Sequence, residues 1–315
     1  MSKLIVVFGA TGNQGGSVVN AILQDPELSK EFKIRGITRD VTKPAAKALE
    51  SKGVEVKSAD MDSPASVGDA VASAHTVFLV TNYWESADPE KEYNQGKNVA
   101  DAAKEANVSH LIFSSLYHIL DASAGALRHV PHFDSKANIE LYIRELDIPA
   151  TFVLPGYFMS NFLDTLRKGE DGTYTLMLPI TNKAQFPLFE VFDTGKPATE
   201  TLNAVTQGKY VVTAIKQRES LLGKQLLGAS DYYSPDRIIE EFAQVTGHQA
   251  KFIPIEAEEY MKSLPPAIAR ELLETHQLLE SPGYYAGASL DESLKLVEQR
   301  PTSWKEYVGQ RSEWK

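Results

Sequence analysis

Two side chains one helical turn apart raise the question of chemistry. In the stretch VPHFDSKANIELYI, Val130 to Ile143, His132 and Lys136 stand at i and i+4. With Ile139 and Ile143 they share one face of a helix that Pro131 is suited to begin. A lysine placed there can hydrogen-bond the hydroxyls of a ribose, and its charge lowers the pKa of a neighbouring acid. A histidine titrates near neutral pH and can donate a proton. It can equally fill the wall of a pocket, and the residues leave both roles open. His129 adds a second imidazole, but no acid or third ligand stands near to complete a metal site, so no metal is expected.

A second constellation lies near the start of the chain. Gly9, Ala10, Thr11, Gly12, Asn13, Gln14 and Gly15 read G-x-x-G-x-x-G directly after the apolar run Leu4 to Phe8. A tight turn out of a strand needs free dihedrals, close approach to a pyrophosphate tolerates no side chain, and helix-on-strand packing wants a small residue. Val18, Val19, Ile22 and Leu23 give the next segment an apolar helical face, so its first amides would point at phosphates. The end of the second apolar run holds Thr38, Arg39 and Asp40, with Lys43 close behind. An acid there suits the ribose diol of NAD(H), whereas arginine suits the 2′-phosphate of NADP(H) by a forked, charge-assisted contact. The sequence therefore predicts NADP(H) in preference to NAD(H). Asp60, Thr81, Asn82, Tyr83, Ser114 and Ser115 fall at the ends of further apolar runs, where ligands bind in open α/β sheets.

The elements that must position these residues can be read from rhythm. Apolar runs at Leu4 to Phe8, Lys33 to Thr38, Val54 to Ala59, Thr76 to Thr81, His110 to Ser115 and Ala150 to Pro155 alternate with helical patterns. That alternation predicts an α/β fold: a doubly wound parallel sheet of Rossmann type, strand order 3-2-1-4-5-6, over residues 1–155. From Gly156 prolines, glycines and polar turns become denser. Residues 156–315 are expected to form a smaller C-terminal α+β lobe that returns some elements to the sheet. Within it Ser234, Pro235 and Gly247 mark the ends of one helix. The acidic stretch Asn82 to Asn94 reads as a loop beside the pocket, able to act as a switch.

Composition narrows the classes. The chain has no cysteine, which excludes disulfides, thiolate metal sites and a cysteine nucleophile within it. Its net charge of -10 argues against direct nucleic-acid binding, which draws most of its affinity from phosphate neutralisation. The amino-terminal apolar stretch reads as a first strand and not a signal peptide, and no run is long enough to span a bilayer. The expected compartment is the cytoplasm or the nucleus, and the expected state a monomer or homodimer.

The segments FGATGNQGG, TRD, VTNYWES, QGK, HFDSK and LPGYF, in this order, together resemble the NmrA-like family, an atypical branch of the short-chain dehydrogenases, over essentially the whole chain. The resemblance implies an NADP(H)-binding Rossmann domain with a small C-terminal lobe. It places Lys136 at the ribose and Tyr157 and Phe158 near the nicotinamide. It also implies that this branch lacks the catalytic tyrosine of its relatives, whose place His132 takes. Several members act as regulators that read the dinucleotide state, a redox-sensing role exercised through a protein partner such as a transcription factor or signalling enzyme. The competing expectation is an NADPH-dependent reductase of a small carbonyl, enone or quinone. In that case Lys136 would be the acid or orient a water, assisted by Tyr117 or His132. A sugar-nucleotide epimerase is disfavoured by the missing tyrosine.

Overall fold

The computed structural model describes residues 2–191 and 206–314, with the side chains of residues 206 and 207 outside that description. Six strands follow the apolar runs: β1 (Lys3–Val7), β2 (Phe32–Thr38), β3 (Glu55–Ser58), β4 (Thr76–Leu79), β5 (His110–Ser114) and β6 (Ala150–Pro155). All their pairings are parallel, with Val7 opposite Gly36 on one side and Phe78 on the other. Every residue of β4, β5 and β6 is buried, which is why these runs are continuously apolar. The edge strand β3 is only partly covered and carries Glu55 and Lys57.

The sheet order is the expected one, extended outside β6 by a seventh parallel strand, Gln225–Gly228. This strand comes from the carboxyl-terminal half. The helix Thr206–Lys216 precedes it and packs on the first helix, Asn13–Gln24, where the Gly208 amide donates to Ser17 Oγ at 3.0 Å. Because β1 lies between β2 and β4, the connections leaving β1 and β4 diverge and open a crevice at the carboxyl edge.

Two helices on one face hold the chemically interesting residues. Pro131–Glu145 begins with its proline, as expected, and Pro89–Glu105 lies against it. Their approach depends on Gly96. A Cβ there would lie 2.5 Å from Ile139 Cδ1, so only glycine lets Ile139 nest between the helices. Glu92 and Lys136, about one turn back on each helix, are thereby brought together.

Among the described residues the remaining lobe contains two three-stranded sheets. One joins Tyr157–Phe158, Phe186–Phe189 and Tyr232–Tyr233; the other joins Leu166–Lys168, Tyr174–Leu178 and Ala250–Pro254. Its core is aromatic, with Phe162 against Phe186 and Trp304, and Tyr174 against Phe242. The helix Pro235–Thr246 has the expected ends: Ser234 Oγ accepts the Arg237 amide, and Gly247 turns the chain at φ 72°. Among the described residues no helix is long and apolar enough to cross a membrane.

Candidate functional site

The crevice at the carboxyl edge is a cleft of about 490 Å³. Its floor is the glycine loop. Gly9 leaves β1 at φ 64°, and its carbonyl accepts the Gly12 amide at 2.8 Å. Gly15 sits under that turn, where a Cβ would lie 2.3 Å from Gly9 O. No larger residue lets the helix start so close to the strand. The helix Asn13–Gln24 has no side-chain cap and no acid in its first turn, so its leading amides face the cleft with the positive end of the helix dipole. Gly9, Thr11, Gly12, Asn13, Gln14 and Gly15 all line the cleft. Ala10 does not: its methyl is buried in the core against Gly36.

A second wall comes from β2 and β3 and includes Arg39, Lys43 and Asp60. Arg39 reaches across the cleft, and its Nη1 donates to Glu85 Oε1. This contact is the main reason its pKa rises. Asp40 also lines the cleft and bonds within its own turn. Its Oδ1 accepts the Thr42 hydroxyl at 2.6 Å and the Thr42 amide at 2.9 Å, which hold the carboxyl below its usual range.

The third wall carries Thr81 and Asn82 after β4, with Phe158 closing the cleft from the lobe. The neighbours Tyr83 and Tyr157 are not part of it. Tyr83 is buried and its hydroxyl donates to Glu271 Oε2 at 3.0 Å; burial and that carboxylate push its pKa up. Tyr157 lies in the lobe core against Phe162 and Phe186, with His276 Nε2 3.4 Å from its hydroxyl. Ser114 is fully buried and acts on the cleft at one remove, donating to Gln14 Oε1 at 2.6 Å.

Lys136 stands behind Thr81. Its Nζ pairs with Glu92 Oε1, donates to Thr81 Oγ1 at 2.8 Å and lies 3.3 Å from Thr81 O. Thr81 Oγ1 donates in turn to Glu92 Oε1 at 2.7 Å, and Ser135 Oγ donates to Glu92 Oε2. Glu92 is 2% exposed and Lys136 9%. His132 turns elsewhere. Its Nδ1 lies 2.5 Å from Glu271 Oε1, on the helix Pro266–Gln277, and its ring packs against Trp84 and Phe133. One turn along, Glu274 Oε2 accepts the amides of Arg128 and His129 at 2.7 Å each. The shared helical face of His132 and Lys136 therefore does not point both side chains at one ligand.

Glu85, Glu92, Glu271 and Glu274 were not singled out by sequence reasoning. Glu92 alone had a local signal. Asp88 and Pro89 form an N-cap and first-turn pattern, and Asp88 Oδ1 accepts the amides of Glu90 and Lys91. The stretch read as a loop from Asn82 to Asn94 thus becomes helical at Pro89. Glu271 and Glu274 lie 139 and 145 positions from the histidines they meet, too far for any spacing argument.

A larger groove of about 690 Å³ opens at the opposite, amino edge of the sheet. Its cations are each matched by carboxylates, Lys3 with Glu31, Lys216 with Asp25 and Arg218 with Glu219, so it presents no charge looking for a ligand.

The fold and its carboxyl-edge cleft define a Rossmann-type dinucleotide-binding architecture. The chain belongs to the NmrA-like family, whose pattern it matches over residues 1–308. An NmrA-like family domain-containing oxidoreductase of Penicillium ochrochloron is 29% identical over 273 residues, covering 80% of this chain and 76% of its own. Among solved structures, the negative transcriptional regulator NmrA in complex with NADP superimposes with a TM-score of 0.79 at 20% identity, covering 98% of this chain and 95% of its own; the same regulator is known with NAD. The triphenylmethane reductase of Citrobacter sp. complexed with NADP(H) gives 0.74 at 23% identity, over 97% and 99% of the two chains.

Proposed function

We propose that this protein binds NADP(H) in the carboxyl-edge cleft and serves as a dinucleotide-responsive regulator acting through a protein partner. The glycine cradle fits the group: a Cβ at Gly15 would fill the turn that lets the leading amides approach a pyrophosphate. Gly9 to Gln14 would hold the phosphates, Arg39 and Lys43 the 2′-phosphate, and Asn82 and Phe158 would border the nicotinamide half. Arg39 and Lys43 both line the cleft and Asp40 has one oxygen taken by Thr42, which favours NADP(H) over NAD(H). The nicotinamide supplies or accepts a hydride when bound.

One observation carries the regulatory reading. The two foremost candidates for moving a proton are held by internal carboxylates, Lys136 by Glu92 and His132 by Glu271. Neither is among the residues lining the cleft. A carbonyl or enone needs a proton as well as a hydride, and Lys136 meets the cleft only through the Thr81 hydroxyl, to which it donates at 2.8 Å.

A reductase is the second reading, supported by the oxidoreductase naming of the 29% identical relative. The two are separated by mixing protein shown to bind NADPH with a panel of carbonyls, enones and quinones. No NADPH oxidation above the protein-free rate is expected. Turnover that disappears in a folded Lys136→Met variant would overturn the regulatory reading.

A further inference from the structure

We propose that Glu85 is a built-in occupant of the 2′-phosphate subsite, and that it sets how strongly the cleft prefers NADP(H) over NAD(H). The inference rests on the cofactor reading above and deepens it.

Arg39 directly follows β2 and Glu85 ends the short turn Tyr83–Glu85 that follows β4, so the two face each other from opposite walls. Their side chains are 61% and 44% exposed, open to an incoming ligand. Among the nearby acids, Asp40 gives one oxygen to Thr42, Asp60 accepts the Asp62 amide at 3.0 Å, and Asp62 accepts from Gln95 Nε2 at 2.8 Å and pairs with Lys91 at 3.3 Å. Asp60 and Asp62 act on Arg39 through charge alone, and Glu85 is the carboxylate hydrogen-bonded to it. Its turn is anchored from behind, by the Tyr83 hydroxyl on Glu271 and by Trp84 against the His132 ring at 4.9 Å. The pairing is thus presented by a fixed turn and not by a free loop.

Glu85 takes Nη1 of Arg39, so a 2′-phosphate that meets the same guanidinium either displaces Glu85 or sits beside it, and in both cases Glu85 stands as a like charge next to the dianion. The diol of NAD(H) carries no charge and leaves the pair closed. Glu85 therefore opposes NADP(H) selectively and narrows a preference that Arg39 alone would make wider.

The test is calorimetric titration of the wild type, E85Q, R39A and the R39A/E85Q double variant with NADPH and NADH. An exposed ion pair of this kind is expected to raise the NADPH-to-NADH affinity ratio about 2- to 5-fold when Glu85 is neutralised. In the R39A background the same substitution should widen the ratio less, because only the direct repulsion between Glu85 and the phosphate remains. A ratio unchanged or lowered in E85Q, in protein that binds NADPH, would overturn the proposal alone, as would an equal gain without Arg39. Failure of the wild type to bind any dinucleotide would overturn the cofactor reading and this proposal with it.

Discussion

Lys136 and Glu92, 44 positions apart, form a buried ion pair whose two hydroxyl neighbours complete it: Thr81 bridges both charges and Ser135 satisfies the second carboxylate oxygen. Such a pair is costly to break from one side because the surviving charge stays buried. It also explains why a lysine beside a nucleotide cleft is not free to act alone.

Glu92→Leu and Lys136→Met should each lower stability by about 3–5 kcal/mol, the cost of stranding one buried charge. The double variant, with both charges gone and volume largely kept, should recover most of that loss. Urea denaturation of all four proteins gives the coupling directly. Additive losses would show that the pair carries no interaction of its own.

Gly15→Ala should remove dinucleotide binding. The new Cβ would meet Gly9 O at 2.3 Å, Gly9 C at 2.5 Å and Phe8 O at 2.7 Å, all backbone, so the loop must move. Each amide-to-phosphate bond lost costs about 1.5–3 kcal/mol, roughly tenfold or more in affinity. Calorimetry with NADPH measures the loss, and circular dichroism checks that the fold survives.

Stability should fall steadily between pH 6.5 and pH 3. Burial pulls His110 down to about 3, with Arg218 and His75 adding to the effect, and burial pulls His276 down to about 4. Folded pKa values below the unfolded value mean that the unfolded chain takes up protons first as pH drops. The stabilisation is complete above pH 6.5 and is lost as pH falls towards the folded values, at up to about 1.4 kcal/mol per pH unit for each histidine. Urea denaturation at pH 7.5 and 5 measures the slope, and His110→Asn should flatten it while keeping a polar partner for Thr151.

Local patterns announced the sheet, its order and the glycine loop because continuous apolar runs and turn glycines are local consequences of burial and backbone geometry. At the cleft, neighbours in sequence part in space. Tyr157 and Phe158 are both expected near the nicotinamide; they are adjacent in an extended strand and face opposite sides, so Phe158 borders the cleft and Tyr157 enters the lobe core. Asn82 and Tyr83 divide likewise between cleft and interior, and Ala10 packs inward between Gly9 and Thr11. His132 and Lys136 do share a helical face. What separates them is Glu271 and Glu92, supplied by other parts of the chain. Tertiary partners leave no trace in local spacing. The sequence leads one to expect that the lobe returns elements to the sheet but does not say which; the seventh strand is Gln225–Gly228, four residues of a distant segment.

The most direct measurement is a side-by-side calorimetric titration of the apo protein with NADP+, NADPH, NAD+ and NADH. A regulator that reads redox state must bind its two forms with different free energies, because a ligand pair of equal affinity shifts nothing. Expected is tighter binding of the phosphorylated forms and a clear difference between NADP+ and NADPH. Equal affinities for those two would contradict the regulatory reading and leave the reductase as the function to pursue.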